Sequence, residues 1–285
     1  MKNIKKFLSA AYSNIARLHS VFEKKDNDHF YSVFNTEQYD EEEYSGIPEK
    51  TVIIASTPRV GSSLLLRGLI STKVIPAATE FFNDVHRTDF SIRWGELSDT
   101  DYIHHLYRCR TNKHGIFAVK SHYSQFLRYM DIILRNNCFF IYIERQNKIL
   151  QAISFFIASL SGSWSSERSP DYAPTEKDYD FYSCYNFLRD IISQNESWCD
   201  FFRNIGVSPI YVVYEEFTAS YEQTIANIIG SLSGTDIRGE DISAPLLKKQ
   251  RNELTGIFYE RFINDMVEKN INYVQWQKNL MFTLI

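Results

Sequence analysis

Four short apolar runs are spaced along the chain, and each is continuous rather than alternating with polar residues. They cover residues 51–55, 116–120, 138–144 and 210–214 and are rich in Val, Ile, Phe and Tyr. A continuous run of this kind is typical of a parallel strand whose two faces are both covered by helices. We therefore predict four buried parallel strands.

Between these runs, apolar residues recur at the three- and four-residue spacing of an amphipathic helix. This spacing predicts helices over residues 62–71, 146–159 and 180–205. Strands that alternate with helices form an α/β domain, here a doubly wound parallel sheet flanked by helices.

The first 49 residues follow a different pattern. Residues 1–22 place apolar side chains at helical spacing between lysines and an arginine, which predicts an amphipathic helix rather than a secretory signal. We favour packing of this helix on the protein or a partner over contact with a membrane surface. The polar, acidic residues 26–49 are interpreted as a linker or surface segment. The predicted division is an N-terminal helix and linker over 1–49 and one domain over 50–285.

Composition narrows the class of protein. A chain of 285 residues, 44% of them hydrophobic, has room for one large core, and its net charge of −4 argues against a general nucleic-acid binder. No apolar run is long enough for a transmembrane helix. The four cysteines form no C-x-x-C pair, so we expect neither a zinc site nor a disulfide framework but reduced thiols in a cytoplasmic protein. They are Cys109, Cys138, Cys184 and Cys199.

The first predicted strand leads into a polar loop, residues 56–63, that precedes an apolar helix. The first N–H groups of a helix have no internal partner, and the helix dipole adds about 0.3–1 kcal/mol for an anion there. Gly61 lets a ligand approach the backbone, Ser62 and Ser63 add hydroxyl donors, and Arg59 offers a planar fork for phosphate or sulfate. The loop lacks the G-x-x-x-x-G-K-[ST] pattern and its lysine, which argues against triphosphate chemistry.

Residues 58–65 resemble the P-R-S-G-S-[ST]-L-L loop of bacterial sulfotransferases of the trehalose 2-sulfotransferase type. In that family the loop cradles the 5′-phosphosulfate of 3′-phosphoadenosine 5′-phosphosulfate (PAPS), and the fold is P-loop-like. Val60 stands where the family carries serine, which removes one hydroxyl but no backbone donor. The resemblance implies that PAPS contacts the loop residues Pro58, Arg59, Val60, Gly61, Ser62 and Ser63.

Later segments extend the resemblance. Residues 115–120 resemble a G-x-x-G-x-K strand, with alanine in place of the second glycine. Residues 140–145 and 151–156 resemble the strand and helix that hold the 3′-phosphate of the donor, which implies that Arg145 and Ser154 bind it. A looser match implies that three further residues close over the nucleotide, namely Gln250, Arg251 and Asn252.

Two residues are candidates for the catalytic base. Glu80 lies in a segment that resembles the family's E-[FY]-F sequence, whose glutamate is the base in the trehalose-type enzymes by this resemblance. His122 follows Lys120 as in the K-T-H sequence of eukaryotic-type cytosolic sulfotransferases, where the histidine is the base. An imidazole titrates near neutral pH and suits the task. We rank Glu80 ahead of His122, and expect Lys120 and Arg59 to stabilise charge on the bridging oxygen.

The resemblance implies transfer of a sulfuryl group from PAPS, without a metal, to a hydroxyl of a carbohydrate or glycolipid, and suggests a homodimer. Phe155, Trp164 and Tyr172 either line the acceptor site or pack in the core. Residues 214–217 are expected to end the last strand as structural support. Two alternatives are a non-catalytic nucleotide-binding scaffold of the same fold and a degenerate P-loop kinase.

Overall fold

A computed structural model gives the arrangement of most of the chain. The residues that it describes are 35–164, 170–234, 237–239, 242–244 and 253–271. The predicted N-terminal helix over residues 1–22 lies outside them, as do Gln250, Arg251 and Asn252.

A parallel four-stranded sheet forms the centre of the molecule. Its strands are β1 (Lys50–Ser56), β2 (Ile116–His122), β3 (Cys138–Glu144) and β4 (Ile210–Val213), in the order β2-β1-β3-β4. The chain leaves the central strand β1 for β2 on one side and then returns to β3 on the other. Ligands of open α/β sheets bind at the carboxyl end of such a strand, where the order reverses.

Helices cover both faces of this sheet, which confirms the predicted α/β class. The α-helices of the described residues are α1 (Ser62–Ser71), α2 (Asp84–Trp94), α3 (Asp99–Arg110), α4 (Tyr123–Ile133), α5 (Lys148–Ser161), α6 (Phe181–Ile205), α7 (Tyr214–Ala219), α8 (Tyr221–Ser233) and α9 (Glu253–Glu268). None of the helices in this part of the chain is long and apolar enough to span a bilayer.

The ends of two strands differ from their predicted positions. β2 continues for two residues beyond the apolar run, because Ser56 of β1 remains paired with His122 in the parallel ladder. β4 ends at Val213, and the next residues open α7, so the prediction that residues 214–217 end the strand is wrong. Glu215 and Glu216 lie in the first turn of α7, where acidic side chains interact favourably with the helix dipole.

Trp198 of α6, the largest fully buried side chain among the described residues, joins the sheet to the helical layer. Its ring lies 5.2 Å from the ring of Phe126 and 5.5 Å from that of Phe202, and all three rings are buried. Its Nε1 donates a hydrogen bond of 3.1 Å to the carbonyl of Ser56 at the end of β1. This contact fixes the point at which the chain enters the predicted phosphate loop.

Part of the stretch predicted as a linker packs on the domain. Asp40 forms ion pairs with Arg93 of α2 at 2.5 Å and with Arg110 of α3 at 2.9 Å, and the Arg110 side chain is fully buried. The backbone N–H of Glu41 donates to the carbonyl of Cys109 at 2.8 Å. From residue 35 onwards, this acidic stretch therefore contacts the α/β domain.

Candidate active site

The loop between β1 and α1 has the backbone geometry of an anion site. Gly61 is the N-cap of α1 with φ of 97°, and its carbonyl accepts the N–H groups of Leu64 and Leu65 at 3.0 and 3.2 Å. The N–H groups of Ser62 and Ser63 in the first turn have no intrahelical acceptor. A Cβ atom on Gly61 would lie 2.3 Å from the ring of Tyr214, so both conformation and space require glycine here.

A buried glutamine holds the start of the loop. Gln151 of α5 is fully buried, and its Nε2 donates to Thr57 Oγ1 at 2.8 Å and to the Pro58 carbonyl at 2.7 Å. The Val60 side chain is also fully buried, which leaves only its backbone for a ligand. Arg59 adopts φ of 62°, a left-handed conformation that typically costs a non-glycine residue about 1–3 kcal/mol. The surrounding contacts must therefore stabilise this shape of the loop.

Four of the predicted site residues meet on the β2 side of the loop. Lys120 and His122 are two residues apart on β2, so their side chains lie on the same face of the sheet. The Lys120 ammonium donates to Ser63 Oγ at 2.8 Å and pairs with Glu80 Oε1 at 2.7 Å. His122 Nε2 lies 4.0 Å from the same carboxylate oxygen. We call Glu80, Lys120, His122 and Ser63 the lysine cluster.

The carboxylate of Glu80 is held as an anion. Its Oε2 accepts hydrogen bonds from Asn83 Nδ2 at 3.2 Å and Gln125 Nε2 at 3.3 Å. Burial by itself would raise the pKa of Glu80, but the positive charge and hydrogen bond of Lys120, aided by nearby His122, hold this pKa well below its usual value. A carboxylate with so low a pKa accepts a proton poorly near neutral pH.

A second, buried histidine lies close to this carboxylate. Burial lowers the pKa of His86 to about 4 despite the attraction of Glu80. Its Nδ1 lies 2.9 Å from Asn35 Nδ2, which also donates to Asp89 Oδ2 at 2.8 Å. If Nδ1 of His86 accepts a hydrogen bond from the amide, the single ring proton lies on Nε2. The ring is then neutral, as its low pKa requires.

Arg59, Arg145 and Ser154 meet on the β3 side of the loop. Arg59 Nε donates to Ser154 Oγ at 3.3 Å, and Arg145 Nη1 donates to the Arg59 carbonyl at 3.4 Å. The guanidinium of Arg145 lies over the ring of Tyr214, 5.1 Å from its centroid. Burial and the adjacent positive charge of Arg145 lower the pKa of Arg59 to about 10. We call Arg59, Arg145 and Ser154 the arginine cluster.

Glu215 of α7 supports this arginine cluster from outside. Its Oε1 lies 4.0 Å from Arg145 Nε, and its two oxygens accept the N–H groups of Gln146 and Asn147 at 3.0 and 3.3 Å. The carboxylate thereby fixes the turn between β3 and α5, consistent with the structural role expected of residues 214–217.

The predicted residues thus separate into the lysine cluster and the arginine cluster, one on each side of the loop. Arg59 bonds Ser154, while its expected role at the bridging oxygen stays a prediction. Sequence reasoning missed two side chains that hold the site, Gln151 and Gln125, whereas Tyr214 belongs to the stretch expected to act as structural support. Only Gln125 carries a local signal, since it is the third residue of a helix that follows a strand, where capping boxes place Glu or Gln.

Two further expectations concern metals and the acceptor. The described part of the chain contains no group of three or more His, Cys, Asp or Glu residues suited to a metal ion. Of the aromatic candidates, Phe155 packs against Trp164 with ring centroids 5.9 Å apart, and Trp164 is 42% exposed. Tyr172 donates to Asp178 at 2.9 Å on the surface.

Comparison with known proteins gives distant relatives. The chain is 21% identical over 133 residues to trehalose 2-sulfotransferase of Mycobacterium tuberculosis, a match that covers 46% of this chain and 47% of that protein. The chain thus spans about half the length of the curated relative that it matches.

Two solved structures are similar to the chain. One is a sulfotransferase from Alicyclobacillus acidocaldarius, with 13% identity, a TM-score of 0.45 and coverage of 81% of this chain and 99% of that one. The other is retinol dehydratase in a complex with retinol and PAP, with 12% identity, a TM-score of 0.41 and coverage of 83% and 82%.

The model of the Stf0 sulphotransferase family matches residues 121–265. This segment includes His122, Arg145 and Ser154, whereas the loop, Glu80 and Lys120 precede it. Because the match covers half of the chain, this protein belongs to the Stf0 sulphotransferase family.

Proposed function

We propose that this protein transfers a sulfuryl group from PAPS to a hydroxyl of a carbohydrate or glycolipid acceptor. The observation that carries the proposal is the pair of basic clusters on opposite sides of one anion-binding loop. Lys120 and Ser63 stand on one side, and Arg59, Arg145 and Ser154 on the other. A donor with a 5′-phosphosulfate and a 3′-phosphate carries anionic groups at two ends and suits this arrangement.

The lysine cluster and the start of α1 would bind the 5′-phosphosulfate. The N–H groups of Ser62 and Ser63 face outward from the helix N-terminus and suit an anion. The Lys120 ammonium already bonds the Ser63 hydroxyl, so an oxygen bound at that hydroxyl would lie beside a positive charge. Charge placed there stabilises the phosphate oxygen from which the sulfuryl group departs.

The arginine cluster would bind the 3′-phosphate. Burial and, after it, the positive charge of Arg145 lower the pKa of Arg59, so two guanidinium groups lie close together in a partly buried setting. A phosphate bound between them compensates both charges and accepts charge-assisted hydrogen bonds from each. The Ser154 hydroxyl, already bonded to Arg59, adds a further donor.

We assign the base to His122 and not to Glu80, which reverses the ranking from sequence. Glu80 is committed to Lys120 and to two amide donors, and its low pKa makes it a weak base. At 4.0 Å from His122 Nε2, it is instead placed to stabilise an imidazolium. His122 would take the hydroxyl proton as the acceptor oxygen bonds to sulfur. The bond from sulfur to the phosphate oxygen breaks, and the bisphosphate nucleotide leaves with the electron pair.

The acceptor class rests on the Mycobacterium relative, whose name specifies trehalose. We test it with radiolabelled PAPS and a panel of sugars and glycolipids. Wild type should label at least one acceptor. His122→Asn and Lys120→Met should lower kcat by about 100-fold or more, since a positioned base alone contributes about 10²–10⁴-fold. Nucleotide binding without any labelled product would support the scaffold alternative instead, and binding of ATP with magnesium in preference to the bisphosphate nucleotide would support the kinase.

A separate binding experiment tests which cluster binds the 3′-phosphate and which binds the 5′-phosphosulfate of the donor. Arg145→Ala should weaken binding of adenosine 3′,5′-bisphosphate by about tenfold or more, as expected when a charged hydrogen bond is lost, and should leave binding of adenosine 5′-phosphate within about threefold. Lys120→Met should weaken both. Equal losses for both nucleotides in Arg145→Ala would contradict the assignment of the 3′-phosphate to the arginine cluster.

A further inference from the structure

We infer that Gln125 is a positioning residue for the proposed transfer, because its amide holds the Glu80 carboxylate and the backbone of His122 in one arrangement. Gln125 is the third residue of α4, and its Oε1 accepts the N–H of His122 at 3.0 Å. Its Nε2 donates to Glu80 Oε2 at 3.3 Å. The inference rests on the proposed function, since it concerns the same base.

The chemistry of this position requires an amide. In a capping box, Glu and Gln are equally able to accept the N–H of the residue before the helix. Only Gln has a second group, NH₂, that can donate to a neighbouring carboxylate. A glutamate at this position would put a second negative charge about 3 Å from Glu80, and two such carboxylates do not both ionise readily.

The orientation of the Glu80 carboxylate decides what its other oxygen does. With Oε2 bonded by Gln125, Oε1 is directed to Lys120 at 2.7 Å and lies 4.0 Å from His122 Nε2. Loss of the Gln125 bond leaves Oε2 with the hydrogen bond from Asn83 Nδ2, which does not tie the carboxylate to the backbone of His122 as Gln125 does. Gln125 therefore links the anion to the base, and the expected consequence is on kcat and not on donor binding.

The test compares Gln125→Ala and Gln125→Glu with wild type. Gln125→Ala should lower kcat by about 10–100-fold, the scale of effects from a misplaced catalytic group, with KM for PAPS within about threefold. Gln125→Glu keeps the acceptor for the His122 N–H and should shift the acid limb of the pH profile of kcat upward, since one carboxylate of the new pair holds a proton to higher pH. Ser98→Ala removes a helix cap at α3, away from the site, and should leave kcat unchanged.

A second measurement does not need turnover. The imidazole of His122 is followed by NMR titration without donor or acceptor, and its signal is identified by its loss in His122→Asn. In Gln125→Ala the midpoint should fall relative to wild type, because the Glu80 carboxylate is no longer held beside the ring. If the midpoint moves but wild type transfers no sulfuryl group, the proposed function fails and the positioning role stands. If wild type is active, and both kcat and the midpoint are unchanged in Gln125→Ala, the inference is overturned.

Discussion

The burial of His86 makes the free energy of unfolding depend on pH, because the attraction of Glu80 does not offset the cost of burying a charged ring. The neutral ring is favoured in the folded protein, where burial lowers its pKa to about 4, whereas the unfolded chain has the ordinary histidine pKa near 6.5. Between these values the unfolded state binds more protons than the native state. Stability is therefore complete above pH 6.5 and decreases as the pH falls towards 4.

We expect His86 to account for the loss of about 3 kcal/mol of the free energy of unfolding between pH 6.5 and 4, from a pKa difference of about 2.5 units. Urea titrations at several pH values measure this slope in wild type and in His86→Gln. The variant should be less stable at pH 7 yet show a smaller slope. An identical slope in both proteins would show that other groups cause the acid sensitivity.

At the scale of the element, the turn from β1 into α1 depends on the absence of a side chain at Gly61. Gly61 and Gly46 adopt nearly the same φ, 97° and 100°, but a Cβ on Gly46 meets nothing within 4 Å. Gly46→Ala thus measures backbone strain alone, and Gly61→Ala adds the clash with Tyr214. This pair of variants separates the two effects.

We expect Gly46→Ala to cost about 1 kcal/mol and Gly61→Ala about 3 kcal/mol or more, because overpacking adds to the strain. Thermal denaturation and calorimetric binding of adenosine 3′,5′-bisphosphate measure the two consequences. Only Gly61→Ala should lose nucleotide affinity, since only its loop faces the proposed donor. Equal stability in the two variants would mean that Tyr214 moves aside at little cost.

The elements themselves were largely predictable, and the side-chain partners were not. α1 and β3 have the predicted bounds, because in both the apolar pattern stops where the element stops. β2 was predicted too short, since the pattern stops at Lys120 while the ladder continues. Members of the lysine and arginine clusters could be predicted, because they lie at or just after the ends of predicted strands. Their amide partners could not be predicted, because Gln125 and Gln151 contact residues that are 45 and 94 positions away in the sequence.

At the scale of the whole molecule, residues 35–44 are bound to α2 and α3, and the Asp40 carboxylate contacts both of these helices. Asp40 pairs with two arginines, and Arg110 is fully buried. Asp40→Asn should lower the free energy of unfolding by about 2–4 kcal/mol, since breaking a buried ion pair leaves its partners uncompensated. Glu43→Gln is the matched control, because Glu43 pairs with Arg108 on the surface and such pairs contribute about 1 kcal/mol or less. Chemical denaturation measures both, and a loss no larger for Asp40→Asn than for Glu43→Gln would contradict the prediction.

The strand order β2-β1-β3 sets the distance between the lysine cluster and the arginine cluster. Lys120 lies on β2 and Arg145 directly follows β3, so β1 separates them and the two strands stand about 10 Å apart at the spacing of a sheet. Hydrogen bonds of the backbone, not flexible side chains, maintain that separation. The sheet therefore holds the two clusters at a fixed distance. We expect a small anion such as inorganic sulfate to occupy one side of the loop, and a longer molecule with charge at both ends to be needed to reach both clusters.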